Sequence, residues 1–147
     1  MKEITYAWNF QRMQDAVSRL KDASVLILGD IMLDEYLFGD ADRISPEAPI
    51  PVVHVQETKT LVGGAGNVAR NVRSLGGAVR LIGLCGRDEK GLLLQSLIRE
   101  GGIDACLHRS EARPTTVKTR ILARQQQMLR VDRETCQPIR GKELDRL

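Results

Sequence analysis

The sequence predicts an α/β fold, a parallel sheet crossed by helices with a small second sheet beside it. A continuous apolar run, Val25-Leu26-Ile27-Leu28, ends at Gly29 as a strand buried in a parallel sheet does, and Val79, Leu81, Ile82 and Leu84 form a second apolar strand ending at Gly86. Helical patterns follow the glycines at 63–66 and Asp88, so the order reads β–insert–α–β–α–β, which is that of helical crossovers. Residues 50–58 and 115–131 differ: they are β-prone but alternate apolar with polar side chains, and so predict a separate, half-exposed sheet.

Phe10, Met13, Val17 and Leu20 recur at helical spacing and predict an amphipathic helix over residues 9–21, with Trp8 near its start. Val25–Leu28 then reads as a strand buried on both faces. Gly39, Pro46 and Pro49 punctuate residues 34–58, which predicts irregular chain followed by a half-exposed strand through Ile50, Val52, Val53 and Val55. From Asn67, the residues Val68, Val72 and Leu75 give a short helix closed by Gly76-Gly77. After the second core strand, Asp88 caps a helix carrying Leu92, Leu93, Leu97 and Ile98, which stops at Gly101-Gly102. Ile103 to Leu107 is a third strand. Beyond Pro114, Thr115, Val117, Thr119 and Ile121 face one way and Thr116, Lys118 and Arg120 the other, a half-buried strand with a basic outer row. Met128 to Val131 follows as its neighbour, and Ile139 to Leu147 begins an amphipathic helix that stops after about two turns, marginal by itself.

Composition narrows the function. A chain of 147 residues, 42% apolar and 28% charged, fits one domain with a real core and excludes a disordered tail. Twenty-two Lys and Arg against 19 Asp and Glu give +3, too mild and too evenly spread for nucleic acid. One Trp, two Tyr and two Phe also leave little for a base-stacking platform. No apolar run approaches the ~20 residues of a membrane-spanning helix. The opening Met1-Lys2-Glu3-Ile4-Thr5 has no apolar core and predicts no secretory signal. Cys85, Cys106 and Cys136 form no C-x-x-C pair, which suits a reducing cytoplasm.

Three places collect polar residues at strand ends, where open α/β sheets bind ligands. In Gly29-Asp30-Ile31-Met32-Leu33-Asp34, two carboxylates are placed to accept hydrogen bonds from sugar hydroxyls; Asp30 reads equally as a turn cap, Asp34 more readily as a ligand. In Gly63-Gly64-Ala65-Gly66-Asn67, paired glycines allow close backbone approach and Asn67 offers an amide. No Walker A loop occurs. The dinucleotide fingerprint Gly64-x-Gly66-x-x-Ala69, with Asp88 as its acid, fits by spacing, although Glu57-Thr58-Lys59-Thr60 before it is not a buried strand. A plain loop turning into a helix is the bland alternative. Third is the basic row Lys118, Arg120, Arg124 and Arg130, which reads either as solvated edge-strand charge or as one or two phosphate contacts. His54 and His108 stand isolated, without partners at ligand or triad spacing.

Gly63-Gly64-Ala65-Gly66-Asn67-Val68-Ala69, with Gly76 and Gly86, resembles the first signature of the ribokinase-like (PfkB) carbohydrate kinases. Gly29–Tyr36 and Arg43-Ile44-Ser45-Pro46-Glu47-Ala48-Pro49-Ile50-Pro51-Val52-Val53 are narrower. They are similar to the D-glycero-beta-D-manno-heptose-7-phosphate kinase domain of the bifunctional heptose kinase / ADP-heptose synthase proteins of lipopolysaccharide assembly. Lys118-Thr119-Arg120 and Gln126–Asp132 extend the likeness, which runs from about residue 24 to 134.

The resemblance implies a ribokinase-like parallel-sheet core, here incomplete, with a β-sheet lid of about residues 36–58 and 115–131 that covers the sugar and pairs two subunits. It implies that Asp34, Gly63, Gly64 and Asn67 hold sugar hydroxyls, and that Lys118 and Arg120 lie near the phosphate already on the sugar. The carbohydrate would sit between the tip of the first strand and the glycine segment, in a hollow shared by Asp34 and Asn67. ATP and Mg2+ serve the complete family enzyme. Family members continue to a Gly-Ala-Gly-Asp motif, whose Asp deprotonates the sugar hydroxyl and whose helix N-terminus stabilises the transferred group. No such motif occurs here; Gly101-Gly102-Ile103-Asp104 lies between a helix and a strand. Residues 1–147 are therefore expected to be the N-terminal portion of one kinase domain, without catalytic base or ATP site and without turnover of their own. The rivals are a non-catalytic sugar-binding or dimerising module and, further off, a dinucleotide-binding domain.

Overall fold

A computed structural model describes residues 9–146; the segment 1–5, Trp8 and Leu147 lie outside the described residues. The chain runs α1 (Phe10–Ser18), β1 (Ser24–Leu28), β2 (Ile31–Ile44), β3 (Pro51–Gly64), α2 (Ala65–Ser74), β4 (Ala78–Gly86), α3 (Glu89–Glu100), β5 (Asp104–Ser110), β6 (Val117–Ala123) and β7 (Gln126–Arg133). Short 3-10 turns follow α1 (Leu20–Asp22) and close the described chain (Gly141–Arg146).

Two sheets form. The first is parallel, in the order β1-β4-β5, with Ser24–Leu28 beside Ala78–Ile82 and Arg80–Gly86 beside Asp104–Ser110. The second has the order β3-β2-β6-β7, antiparallel at both ends and parallel between β2 and β6. The expected α/β fold with a parallel core and a second sheet is therefore the observed one.

One core joins the two sheets. Leu81 of β4, Leu94 of α3, Ala69 of α2 and Leu33 of β2 are wholly buried, together with Val62 of β3 and Val117 of β6. Alternation explains the division of labour: Val79, Leu81 and Cys85 of β4 point into this core, so α2 and α3 cover the same side of the first sheet. Asp88 adds a polar clamp. Its carboxylate accepts from the Gly91 N–H at α3's first turn (2.7 Å), from the Thr115 N–H (2.9 Å) and from the Thr115 hydroxyl (2.6 Å). Helix capping and the entry to β6 are thus fixed by one side chain.

Several expectations need correction. Val25–Leu28 is not buried on both faces: Leu26 and Leu28 are 65% and 70% exposed, because the helices cover only the other side. Residues 34–44 are strand rather than irregular chain, since β2 finds hydrogen-bonding partners on both edges. Its sequence signal is blurred by register shifts at Phe38/Gly39 and Asp40/Arg43. The half-exposed strand at 50–58 is real and runs on to Gly64. Helix 9–21 is shorter, breaks at Arg19, and buries none of its apolar stripe. The final helix is a 3-10 turn. Of the basic row, Lys118 and Arg120 lie on β6, which is interior to its sheet, Arg124 lies in the β6–β7 turn, and Arg130 stands on the edge strand β7 as expected.

Candidate functional site

Strand register decides which candidate residues meet. Asp34 lies opposite Lys118 in β6, Tyr36 opposite Arg120, and Met32 opposite Gly63 in β3. Register partners share a face, so Met32, Asp34, Tyr36, Gly63, Lys118 and Arg120 all stand on one side of the second sheet, while Leu33, Val62 and Val117 face the core. Lys118 and Arg120 continue across to Asp132 and Arg130 in β7.

Charges on this face are paired. Arg120 Nη1 donates to Asp34 Oδ1 at 2.5 Å and lies over the Tyr36 ring, 5.2 Å from its centroid. Lys118 Nζ donates to Asp132 Oδ2 (3.1 Å) and Glu134 Oε2 (2.9 Å). These hydrogen bonds, the one to Glu134 foremost, hold the Lys118 ammonium above its ordinary pKa, and the bond to Asp34 does the same for Arg120. Arg130 in turn makes two bonds to Asp132, at 2.9 and 3.0 Å. Arg124 falls outside this group: it sits in the β6–β7 turn and pairs with Asp42.

The glycine segment borders the same region. A Cβ on Gly63 would collide with the Asp34 carboxylate, so the glycine is what lets that side chain lie against the β3 backbone. Gly64 takes φ 57°, and a side chain there would strike the Asp30 carbonyl. That carbonyl accepts from the Ala65 N–H (2.8 Å), binding the start of α2 to the β1–β2 turn. Asn67 is exposed in the first turn of α2 and makes no hydrogen bond to the other candidates among the described residues.

A cavity of about 690 Å3 opens at the C-terminal ends of β1 and β4. Gly29, Asp30, Met32, Thr116, Lys118 and Glu134 contribute to its wall. Its far side is the segment 135–139, held in place by Arg113, which donates to the Gln137 and Pro138 carbonyls at 2.6 and 2.9 Å. Of the six predicted site residues only Lys118 lines this cavity; Asp34, Gly63 and Arg120 stand beside Lys118 on the same face. This cavity lies between Asp30 and Lys118, and neither Asp34 nor Asn67 lines it. Sequence reasoning missed Glu134 and Arg113 as site residues, for which no local motif exists.

The dinucleotide reading loses its context. The strand before Gly64 belongs to the mixed second sheet and not to the parallel one, and Asp88 is engaged at α3. Among the described residues no three His, Cys, Asp or Glu side chains converge, and the first amide of α2 is already taken by Asp30.

Residues 22–145 match the family described as pfkB family carbohydrate kinase. The chain belongs to that family. Curated relatives of this pfkB family chain include the bifunctional protein HldE of Caulobacter vibrioides, 50% identical over 137 residues, covering 90% of this chain and 28% of the relative. The D-beta-D-heptose 7-phosphate kinase of Bordetella bronchiseptica is 51% identical over 121 residues, 82% of this chain and 39% of its own length. The chain thus spans well under half the length of these relatives. Solved structures agree in fold: a carbohydrate kinase from Agrobacterium tumefaciens superposes with TM-score 0.61 at 23% identity, over 75% of this chain and 35% of that one. The phosphofructokinase-2 of Escherichia coli in complex with fructose-6-phosphate gives 0.58 at 22% identity, over 74% and 34%.

Proposed function

We propose that this pfkB family chain is the sugar-binding portion of a kinase that phosphorylates heptose 7-phosphate at its anomeric hydroxyl, in the making of ADP-heptose for lipopolysaccharide. The observation that carries the reading is the grouping of Asp34, Gly63, Lys118 and Arg120 on one face, in a chain half identical to a heptose 7-phosphate kinase. Asp34 and the Gly63-Gly64 backbone would receive sugar hydroxyls, with Asn67 reaching in from α2. Lys118 and Arg120 would meet the 7-phosphate, where charge-assisted hydrogen bonds are strongest. ATP would bring the phosphoryl group and magnesium its charge neutralisation; no residue described here is assigned to either.

Lacking a base and a nucleotide site, residues 1–147 have no turnover in this reading. The second sheet serves as a lid and as the contact between two copies, its edge strands β3 and β7 carrying exposed Leu61, Leu129 and Val131. The protein works in the cytoplasm, in keeping with three free cysteines. Among the described residues no helix is long and apolar enough to cross a membrane.

Calorimetric titration of D-glycero-D-manno-heptose 7-phosphate into the chain tests the reading, with Asp34→Ala and Asn67→Ala as variants. Both variants should bind more weakly; affinity unchanged in both removes the sugar site and leaves a pairing module. ATP-dependent phosphorylation of the heptose by the pure chain overturns the claim that it is inactive alone. Sedimentation shows whether two copies associate.

A further inference from the structure

Lys118 enters the cavity already held by two carboxylates, and these two are not equivalent. Asp132 sits in β7 opposite Lys118 in register and is fixed from its other side by two hydrogen bonds from Arg130. Glu134 lies just past the end of β7; its bond to the Lys118 ammonium is 2.9 Å, and Cys136 Sγ at 3.6 Å is its other neighbour. Glu134 lines the cavity together with Lys118, and Asp132 does not. Any anion reaching Lys118 through the cavity therefore meets the Glu134 carboxylate first.

We propose that Glu134 is a built-in competitor at the sugar-phosphate site, a carboxylate that the phosphate of the incoming sugar must displace from Lys118 and that thereby lowers affinity for the phosphorylated sugar. The inference rests on the sugar-phosphate reading above and adds to it a residue that opposes binding. An ammonium has three donors and no acceptor, and a carboxylate and a phosphate compete for the same ones. With Glu134 in place, the ammonium's charge is compensated, and a dianion beside both Glu134 and Asp30 meets like-charge repulsion. Exchange is favourable only for a ligand that brings its own negative charge to Lys118. A sugar without phosphate has nothing to trade, so Glu134 stays seated and the neutral sugar gains no contact with Lys118. Because Arg113 fixes the chain at 137–138, the movement is confined to the Glu134 side chain and the residues next to it.

The experiment compares the chain with Glu134→Gln by calorimetry, using D-glycero-D-manno-heptose 7-phosphate and the same heptose without phosphate. Glu134 is one-third exposed, so losing its competition should tighten the phosphorylated sugar by about threefold to fivefold. Binding of the neutral heptose should stay the same. In a Lys118→Met background the Glu134→Gln change should no longer matter. Equal tightening of both sugars, no change, or weaker binding of the phosphorylated sugar each overturns the inference while leaving the sugar-phosphate reading standing. Absence of heptose 7-phosphate binding by both proteins overturns the reading itself, and the inference with it.

Discussion

Arg120 of β6 reaches across the sheet to Asp34 of β2, and the two side chains are only 22% and 20% exposed. The pair is nearer to a buried ion pair than to a surface one, with the Tyr36 ring as a second contact for the guanidinium. Removing one partner strands the other. Arg120→Met should therefore cost about 1–2 kcal/mol of stability, between the values for exposed and buried pairs. Urea unfolding of Arg120→Met, Asp34→Leu and the double variant measures the coupling. Additive single effects mean that the two side chains do not interact in solution.

Leu26 and Leu81 are both leucines of the parallel sheet, in β1 and β4, yet they face opposite sides of it. Leu81 is wholly buried, and Leu81→Ala should cost about 2–5 kcal/mol. Leu26 is 65% exposed and Leu28 70%, so Leu26→Ser with Leu28→Ser should change stability by less than about 1 kcal/mol. The same double change should reduce binding of a hydrophobic dye, since it removes an exposed apolar patch. Unfolding midpoints and dye fluorescence check both halves. A large loss of stability on changing Leu26 and Leu28 places them in a buried interface instead.

Asp88 gives the fold an acid-sensitive joint. Burial pushes its pKa up, but hydrogen bonds from the Thr115 hydroxyl, the Thr115 N–H and the Gly91 N–H outweigh it and hold the carboxyl below its ordinary 3.8. A carboxylate depressed on folding contributes stability that is complete well above about pH 4 and fades as pH falls through the folded value. Asp132 and Glu143 are depressed as well, so they act in the same window. Asp88→Asn should lower the unfolding midpoint at neutral pH and lose less on acidification, so its curve converges with that of the parent chain below about pH 4. Parallel curves assign the acid loss to the other carboxylates.

Much of the fold is written locally. Val79, Leu81, Leu97 and Ile98 sit where strand and helix periods place them, and Asp88 caps the helix it precedes. Leu92 and Leu93 of the expected stripe are exposed, however, and Leu94, outside that stripe, is buried in their place. β2 was hidden because its faces are mixed. Asp34 and Tyr36 stand on the side that carries Lys118 and Arg120, Glu35 on the core side pairs with Lys90, and Gly39 breaks the register. Asp34, Lys118 and Arg120 could be named from the resemblance, but their meeting depends on a parallel pairing across more than 80 residues, which no local pattern encodes. The same holds for Glu134 and Arg113, whose roles come from where the chain returns after β7.

The β6–β7 turn holds Arg124 and Gln125 at φ 49° and 71°, both in the left-handed region. Two consecutive positive φ values are what a tight turn between twisted strands requires, and glycine or asparagine meets them with little strain. Gln125→Gly should stabilise the chain by about 0.5–1 kcal/mol, the relief of strain exceeding the added freedom of the unfolded chain. Arg124 is best left in place, because it pairs with Asp42. A lower unfolding midpoint for Gln125→Gly shows that the glutamine side chain contributes more than its backbone costs.

Thiol labelling distinguishes the three cysteines and reports on the cavity. Cys85 is buried, and burial is the main cause that raises its pKa, with the Gln95 hydrogen bond and Arg109 opposing. Thiolate is the reactive form, so Cys85 should label only on unfolding, whereas the exposed Cys106 and Cys136 should label in the folded chain. Cys136 lines the cavity beside Glu134, and Cys106 lies on β5 away from it. Saturating heptose 7-phosphate should therefore slow labelling of Cys136 and leave Cys106 unchanged, read by mass spectrometry of the labelled peptides. Equal rates at Cys136 with and without the sugar mean that the ligand does not occupy this cavity. Slowing at both cysteines instead means that the ligand acts on the fold as a whole, and the separation of the two rates is what ties binding to the space between Asp30 and Lys118.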